Sequence, residues 1–360
     1  MISVVEVIPL TIPLRRVYKT SRVEQKFLQQ VFVKITDSSG KVGVGEGAIR
    51  EDITGETLNG VVDIIQNRVV PLIQDCDPLD REVLMSLVDN VLEKNSTARC
   101  VIDIALHDIA GKILGIPVYK LLGGAYRKTF SFSKAVILGD SVENTVKEAK
   151  RLTNAGYGIL KIKAGKDCDT DILRVKKIRE ACGSQIEIRV DANGGWPVEE
   201  AIKAVKAMSK YNVAIIEQPV HADFLDGMAE VVKRSNIPIM ADESAHTLED
   251  VMMIAEKKAA DVINIKLIKA GGIIKAKQMA ELADVYGIPC QIGGVMYSSI
   301  LASAARHVAA GTRNIVFYEG GKPAEFLGYD PVDVPLKTER GKGVVSEGHG
   351  LGVTFKSPKS

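Results

Sequence analysis

Single ionisable residues end a series of short apolar runs, about one in every 25 residues of the central sequence. The runs GILKIK, EIRVD, AIIE, IMAD and INIK end in Lys163, Asp191, Glu217, Asp242 and Lys266, which are 28, 26, 25 and 24 residues apart. One strand and one helix of a (β/α)8 barrel occupy about this length, and the carboxyl ends of the barrel strands meet at one mouth. The spacing therefore predicts an α/β barrel in which these five side chains converge on one pocket.

The region around these residues alternates between strand-like and helix-like patterns. From about residue 128, eight short apolar runs are separated by at least seven amphipathic stretches, beginning at SKAVILG and ending at NIVFYEGG. Parallel strands in one sheet require right-handed crossovers, and eight such strands close into a barrel. We therefore predict that residues 126–321 form the barrel.

The flanking segments have different patterns. Residues 1–47 alternate as antiparallel strands do, and residues 55–122 are helical in period, which together indicate an α+β module over about 1–125. Residues 322–360 are rich in Gly, Pro and Lys and have no helical period. We expect this last segment to pack back on the first module.

Composition excludes several classes of protein. The net charge of +2 provides no field for binding nucleic acid, and no apolar run reaches the roughly 20 residues that a membrane span requires. The amino terminus lacks the basic region of a signal peptide, and the five cysteines show neither metal-ligand spacing nor a pairing pattern. We expect a cytoplasmic protein that acts on a small molecule, without nucleic acid or membrane as a partner.

The three carboxylates predict a metal site. Asp191, Glu217 and Asp242 end three successive strands, so their side chains are expected side by side on one arc of the mouth. Confined carboxylates repel each other by several kcal/mol unless a cation neutralises them. Ligation by oxygen alone, without His or Cys, favours Mg²⁺ or Mn²⁺ over zinc.

The lysines predict acid/base chemistry. Lys161 and Lys163 lie two apart on one strand and so share a face, where each ammonium group is expected to depress the pKa of the other. Lys266 is expected across the mouth from Lys163. Two bases that face each other over a bound substrate suit removal of a proton from one face of a carbon and its return to the other.

The motifs K-I-K, V-D-A-N-x-G-W, I-E-Q-P, A-D-E-S and N-I-K-x-x-K-x-G-G resemble those of the enolase superfamily, specifically its muconate lactonizing enzyme subgroup. The resemblance covers nearly the whole chain. It implies an α+β capping domain, a (β/α)7β barrel, and a Mg²⁺ ion that binds a substrate carboxylate and stabilises an enediolate after α-proton abstraction. It also implies the following roles: metal ligation by Asp191, Glu217 and Asp242, acid/base catalysis by Lys163 and Lys266, tuning by Lys161, and supporting contacts from Asn193 and Glu243.

Within that subgroup, VYKTS, ITGET, IEQPVHADFLDG and INIKLIKAGG resemble dipeptide epimerases. Two positions depart from the pattern. Tyr297 stands where many relatives carry a glutamate, and the stretch FYEGG offers Glu319 and Gly321 where dipeptide epimerases carry the Asp-x-Asp pair that anchors the substrate ammonium. A smaller amino-acid-like substrate, with a secondary or quaternary amine held by Glu319 and the aromatic faces of Tyr297 and Tyr318, is therefore as compatible with the sequence as a dipeptide.

Specificity in this family is set by two capping loops, here about residues 16–26 and 49–56. Tyr18, Lys19 and Arg22 in the first loop and Ile53 in the second are candidate substrate contacts. Charges of both signs occur in the first loop, so this loop could bind either an acidic or a basic distal group of the substrate.

Together these features predict a Mg²⁺-dependent racemase or epimerase of an amino-acid derivative or dipeptide, acting through Lys163 and Lys266 and assembled as a homo-oligomer. The first alternative is a β-elimination on the same scaffold, by a dehydratase or cycloisomerase. A Schiff-base aldolase is a second alternative, which the carboxylates disfavour because such enzymes need no metal. A scaffold without activity is disfavoured because all five core residues are present.

Overall fold

The computed structural model describes residues 1–19, 24–136, 141–320 and 323–356. The chain begins with a three-stranded antiparallel sheet, ordered β1-β2-β3. Its strands are β1 (Ile2–Lys19), β2 (Glu24–Asp37) and β3 (Val42–Ala48). Both faces of β2 are covered, since Val31, Val33 and Ile35 are buried in one hydrophobic cluster and Leu28 and Phe32 are buried in another.

Helices cover this sheet. They are α1 (Glu51–Thr54), α2 (Leu58–Ile64), a π-helical segment (Ile65–Val69), α3 (Val70–Ile73), α4 (Arg81–Asp89), α5 (Ser96–Leu114) and α6 (Val118–Leu121). The long helix α5 packs directly on β3. A Cβ atom at Gly45 would lie 1.9 Å from the carbonyl oxygen of Val101, so glycine is required where the helix meets the strand.

A parallel eight-stranded sheet follows, in which the neighbours are also consecutive in sequence. After a short strand β4 (Thr129–Ser131), its strands are β5 (Lys134–Val136), β6 (Ile159–Lys163), β7 (Glu187–Asp191), β8 (Val213–Glu217), β9 (Ile239–Ala241), β10 (Val262–Ile265), β11 (Cys290–Ile292) and β12 (Ile315–Tyr318). A parallel bridge between Ser133 and Glu319 joins the first strand to the last, with the Ser133 amide donating to the Tyr318 carbonyl at 3.0 Å. The predicted barrel is therefore confirmed.

The helices between the barrel strands are α7 (Val142–Asn154), α8 (Cys168–Cys182), α9 (Val198–Met208), α10 (Leu225–Arg234), α11 (Leu248–Lys257), α12 (Leu267–Ala270), α13 (Ile273–Val285) and α14 (Ser299–Gly311). Short 3₁₀ turns occur at Ser209–Tyr211 and Pro323–Glu325. Side chains that accept from the first-turn amides set several helix starts, including Ser141, Asp167 and Thr247. Among the described helices, none is long and apolar enough to cross a membrane.

The last segment contacts both the barrel region and the first module. Strand β13 (Thr338–Glu339) pairs with β14 (Lys342–Val344), which pairs with β4. The Leu351 amide donates to Asp108 of α5 at 2.8 Å, and the rings of Phe355 and Phe32 lie 5.0 Å apart. These contacts agree with the expectation that the last segment packs back on the first module. The division into 1–125, 126–321 and 322–360 stays a prediction.

Buried carboxylates of the first module cap two barrel helices. Glu46 of β3 accepts from the Ser298 amide at 2.7 Å and the Leu301 amide at 2.8 Å, at the start of α14. Asp103 of α5 accepts from the Ile273 amide at the start of α13. Because these side-chain oxygens accept from first-turn amides that have no partner within their own helix, the contacts join the two parts of the chain.

Glu46 predicts a pH dependence of stability. Burial raises its pKa to about 7 from the usual 4.5. The folded state then binds a proton more tightly than the unfolded state, so this contribution is fully present below about pH 4.5 and is lost as the pH rises through 7. Glu46→Gln should flatten that fall, which is on the order of 3 kcal/mol. Urea unfolding at pH 5 and pH 8 measures it, with the exposed Glu6→Gln as control; an unchanged pH dependence would contradict the assignment.

Candidate active site

The barrel brings the five sequence-predicted residues to one end. Lys163, Asp191 and Glu217 are the last residues of β6, β7 and β8, and Asp242 and Lys266 directly follow β9 and β10. In the sheet register Lys163 lies opposite Asp191, and Asp191 lies opposite Glu217. The three carboxylates are almost completely buried. Strand spacing thus places them side by side, as predicted.

Lys161 and Lys163 surround Asp191 and Glu217 with positive charge. The Lys163 ammonium lies 2.6 Å from Asp191 Oδ2, and the Lys161 ammonium lies 3.1 Å from the same oxygen. Lys161 also lies 3.2 Å from Glu217 Oε2, while the Asn264 amide donates to Glu217 Oε1 at 3.0 Å. Each carboxylate therefore has a cationic partner within the barrel.

Asp242 is held by two lysines. Lys266 donates to its Oδ2 at 2.6 Å, and Lys269 donates to its Oδ1 at 2.7 Å and to the Asn264 carbonyl at 3.3 Å. The side chain of Lys269 is 1% exposed, and all three of its N–H donors have oxygen partners because it also donates to the Asp242 carbonyl. The sequence predictions do not include Lys269, although its K-x-x-K spacing from Lys266 returns a helical side chain to the same side.

The ionisation of the carboxylates reflects these partners. Burial opposes ionisation of Asp242, but Lys266 and Lys269 outweigh it and hold the pKa of Asp242 well below its usual range. Lys163 and Lys161 likewise overcome burial and lower the pKa of Asp191 to about 2. Glu217 differs, because burial and the neighbouring Asp191 raise its pKa well above the usual value. Ammonium groups therefore lie beside all three carboxylates, and Glu217 is the one whose ionisation they support least.

The expected mutual depression of the lysine pKa values is wrong for Lys161. Burial alone would lower its pKa, but Glu217, Glu319 and Asp191 outweigh burial and raise it well above the usual value. The reason is that three carboxylates contact this ammonium group. The sequence alone does not show that they lie so close. Lys161 is therefore a fixed cation in this arrangement, and not a base.

The donor chemistry at the arc fits a hard divalent cation. Asp191, Glu217 and Asp242 offer oxygen alone, which is the ligand type that Mg²⁺ and Mn²⁺ prefer. Among the residues that the structure describes, no three acidic, histidine or cysteine side chains lie close enough to ligate one ion as they stand. The carboxylates contact ammonium groups instead, which a cation would have to replace in part.

Asn193 and Glu243 lie beside the lysines. The Lys163 ammonium donates to Asn193 Oδ1 at 3.1 Å, and Asn193 Nδ2 donates to Glu243 Oε1 at 2.9 Å. Burial and the charge of Asp242 raise the pKa of Glu243. Both residues thus border the site, and their supporting roles stay predictions.

The expected aromatic and acidic anchors for an amine are not arranged as predicted. Glu319 Oε1 lies 2.5 Å from the Lys161 ammonium, so this carboxylate is already paired. The ring of Tyr318 packs against Phe130 at 4.9 Å, and its hydroxyl donates to the Ile315 carbonyl. Tyr297 is 5% exposed, with its hydroxyl against Gly320. Neither tyrosine therefore presents a free face at the mouth, and Gly321 lies outside the described residues.

The capping loops are described in part. Tyr18 and Lys19 end β1, where their backbones pair with Gln25 and Glu24, while Arg22 lies outside the described residues. Ile53 lies in α1, which packs against α12 directly after Lys266. Thus the second loop reaches the site.

An ion pair lies in the second loop. Arg50 donates to Asp52 through two nitrogens, at 2.8 and 2.7 Å. Burial opposes ionisation of Asp52, but Arg50 and, more weakly, Lys266 lower its pKa. The Asp52 carboxylate therefore lies within electrostatic reach of Lys266, and the loop presents charge toward the mouth.

Comparison with known families matches both parts of the chain. Residues 2–123 match the family described as mandelate racemase/muconate lactonizing enzyme, N-terminal domain, and residues 144–359 match the enolase C-terminal domain-like family. An N-succinyl-L-Arg/Lys racemase from Bacillus cereus is 33% identical over 350 residues, covering 95% of each chain. Muconate cycloisomerase 1 from Rhodococcus opacus is 30% identical over 97% of this chain and 94% of its own.

Solved structures agree with this fold. The crystal structure of the Bacillus cereus N-succinyl Arg/Lys racemase superposes with a TM-score of 0.94 at 32% identity, covering 99% of this chain and 95% of that one. A dipeptide epimerase from Enterococcus faecalis, complexed with Mg and the dipeptide L-Leu-L-Tyr, also gives a TM-score of 0.94 at 32% identity, over 98% and 99% of the two chains. The similarity therefore spans both modules.

Proposed function

Because the chain belongs to the mandelate racemase/muconate lactonizing enzyme family of the enolase superfamily, we propose that it removes and returns the α-proton of a carboxylate substrate. The protein is an isomerase, as its racemase and epimerase relatives are. The reaction proposed is a two-base 1,1-proton transfer that inverts the α-carbon of an amino-acid derivative or dipeptide.

The main support for this proposal is the placement of two lysines on opposite sides of the barrel. Lys163 ends β6 and Lys266 follows β10, four strands further along a closed ring of eight. Four of eight strands is half of the circumference, so the two amines approach the pocket from opposite sides. Their side chains are 21% and 12% exposed, unlike the almost fully enclosed Lys161 and Lys269. A substrate between them would have one amine at each face of its α-carbon.

Asp191, Glu217 and Asp242 are the proposed ligands of a Mg²⁺ ion, with Mn²⁺ as a substitute. A bound cation would supply positive charge where negative charge develops on the substrate carboxylate. The ammonium groups of Lys163 and Lys266 now contact Asp191 and Asp242 at 2.6 Å. Release of these contacts would leave each lysine able to hold or accept a proton at Nζ. Lys161, paired with Glu319, would remain charged.

The substrate is proposed to be an N-acyl amino acid or dipeptide with a polar distal group. The names of two relatives support this class, since one is an N-succinyl-L-Arg/Lys racemase and another is an L-Ala-D/L-Glu epimerase. The Arg50–Asp52 pair in the second loop offers charge of both signs for a distal group. A cytoplasmic location and assembly as a homo-oligomer stay predictions.

A screen for α-proton exchange in D₂O tests the proposal. Pools of N-succinyl amino acids, other N-acyl amino acids and dipeptides would be incubated with enzyme and Mg²⁺, and gain of one mass unit would be read by mass spectrometry. We expect deuterium in one class of these substrates, and none with the Lys163→Ala/Lys266→Ala double variant. If no carboxylate in these pools exchanges, the proposed reaction is wrong.

A cycloisomerisation is the second candidate, because muconate cycloisomerase 1 matches almost the whole chain. The pairing of Glu319 with Lys161 also favours it, since the carboxylate expected to anchor a substrate ammonium is already engaged. Formation of a lactone from a muconate, without exchange in any amino-acid derivative, would select this alternative.

Glu319→Gln provides a separate prediction about this pairing. Loss of the charged contact with Lys161 should lower kcat/KM about tenfold or more, because a charge-assisted contact of this kind is worth about 1.5–3 kcal/mol. If Glu319 acts through Lys161, the loss should be the same for substrates with and without an amine. A loss confined to amine-bearing substrates would instead show that Glu319 anchors the substrate ammonium. Glu325→Gln, which changes a glutamate of the following segment in the same way, is the control and should not reproduce the effect.

A further inference from the structure

Gln218 directly follows Glu217 and has an uncommon backbone conformation. Its φ is 39°, in the left-handed region that non-glycine residues seldom adopt, and its side chain is fully buried. Such conformations persist where the surrounding contacts determine them, and they cluster at functional sites. The contacts of this residue therefore indicate which role maintains its unusual backbone conformation.

The side-chain amide of Gln218 uses all of its hydrogen-bonding capacity on neighbouring loops. Its Oε1 accepts from the Asp242 amide at 2.9 Å and from the Ser244 amide at 3.1 Å. Its Nε2 donates to the Val220 carbonyl at 3.0 Å and to Ser244 Oγ at 2.8 Å. An amide has two acceptor sites and two donors, and each is satisfied here. The backbone of Asp242 is thus attached to the residue after Glu217.

The backbone of Gln218 extends the same connection to a third loop. The Gly194 amide donates to the Gln218 carbonyl at 2.7 Å, and the Gln218 amide donates to the Met240 carbonyl at 2.8 Å. Gly194 follows Asn193, whose amide in turn donates to Asp191 Oδ1 at 3.0 Å. One residue therefore contacts the loops or strands that carry all three carboxylates of the arc.

We propose that Gln218 is a positioning residue that fixes the backbones of Asp191, Glu217 and Asp242 relative to one another, so that their side chains can turn toward one divalent cation. The inference rests on the proposed function, in which these carboxylates are the ligands. Ligand atoms of a working site must be held within about 0.5 Å, and loops alone do not provide this precision. Residues that orient metal ligands typically contribute 10–100-fold to metal affinity.

The competing explanation is that Gln218 only stabilises the fold. Gln291 of β11 provides a matched comparison, because it is also a buried barrel glutamine but accepts from Arg189 at 2.9 Å and makes none of the described contacts to the three carboxylates. Gln218→Met and Gln291→Met both remove a buried amide of nearly the same size. A role in stability alone predicts that the two variants behave alike.

The test is the dissociation constant for Mn²⁺, measured on metal-free protein by electron paramagnetic resonance, together with Tm. We expect Gln218→Met to raise the Kd at least tenfold, and Gln291→Met to leave it within twofold at a similar or larger loss of Tm. Equal Kd values in the two variants would overturn the inference. If Gln218→Met does not fold, Ser244→Ala decides: a Kd raised at least threefold supports the role, and an unchanged Kd rejects it. Lack of Mn²⁺ binding by the unaltered protein would instead overturn the proposed function, and the inference with it.

Discussion

Lys266→Ala is expected to abolish net racemisation, lowering kcat by at least about a thousandfold, while leaving exchange on one enantiomer. General acid/base groups contribute about 10²–10⁴ to rate, and this residue would serve one face of the α-carbon alone. Lys163 lies half of the barrel circumference away and would still remove the proton from the other face. Lys163→Ala should give the mirror-image result. The measurement is deuterium incorporation into each enantiomer of the substrate in D₂O.

A surface lysine provides the control for this experiment. Lys257 is exposed and paired with Asp226, so Lys257→Ala makes the same change at a distance from the mouth and should leave both exchange rates unaltered. If either active-site variant still interconverts enantiomers at a rate near that of the unaltered enzyme, the two-base assignment is wrong. If both lysines prove essential but the product is dehydrated or cyclised, the pocket assignment stands and β-elimination replaces racemisation.

Removal of the divalent cation is expected to abolish turnover. A cation held by the three buried carboxylates would stabilise the negative charge that develops on the substrate carboxylate, and without the cation that charge has no such partner. EDTA should therefore eliminate detectable exchange, and added Mg²⁺ or Mn²⁺ should restore it. Asp191→Asn should lower kcat/KM by at least about a thousandfold, because the α-proton beside a carboxylate is weakly acidic and electrostatic stabilisation supplies most of the catalysis.

The control for Asp191→Asn is Asp226→Asn, which removes one negative charge from an exposed pair with Lys257. This variant should retain full activity and the same response to EDTA. Normal turnover by Asp191→Asn, or full activity of the unaltered enzyme in excess EDTA, would contradict the metal assignment.

The spacing of the strand ends was sufficient to predict the barrel and its central residues. A residue at the end of an apolar run must lie at the mouth when the strands are parallel, so Asp191, Glu217 and Asp242 were placed from sequence alone. Lys269 could not be placed in this way, because it lies in the short helix that follows the strand and not at the strand end.

Side-chain alternation along the eighth strand separates Tyr318 from Glu319. Tyr318 and Glu319 are adjacent, and successive residues of a strand point to opposite sides of the sheet. Since Glu319 contacts Lys161 inside the barrel, Tyr318 is directed outward to Phe130. The pairing of Glu319 with Lys161 itself depends on strand closure across the barrel. No local pattern in the sequence encodes that distance.

Two-base racemisation is tested most directly by following the α-proton of the substrate identified by exchange screening. Each pure enantiomer would be incubated with enzyme and Mg²⁺ in D₂O, and the α-proton signal would be followed by NMR together with optical rotation. With Lys163 and Lys266 as the two bases, we expect the α-proton signal to disappear from either enantiomer, inversion at the α-carbon to proceed to equilibrium, and no other product to form. Loss of the α-proton with the appearance of an alkene or lactone, or inversion that continues in excess EDTA, would contradict it.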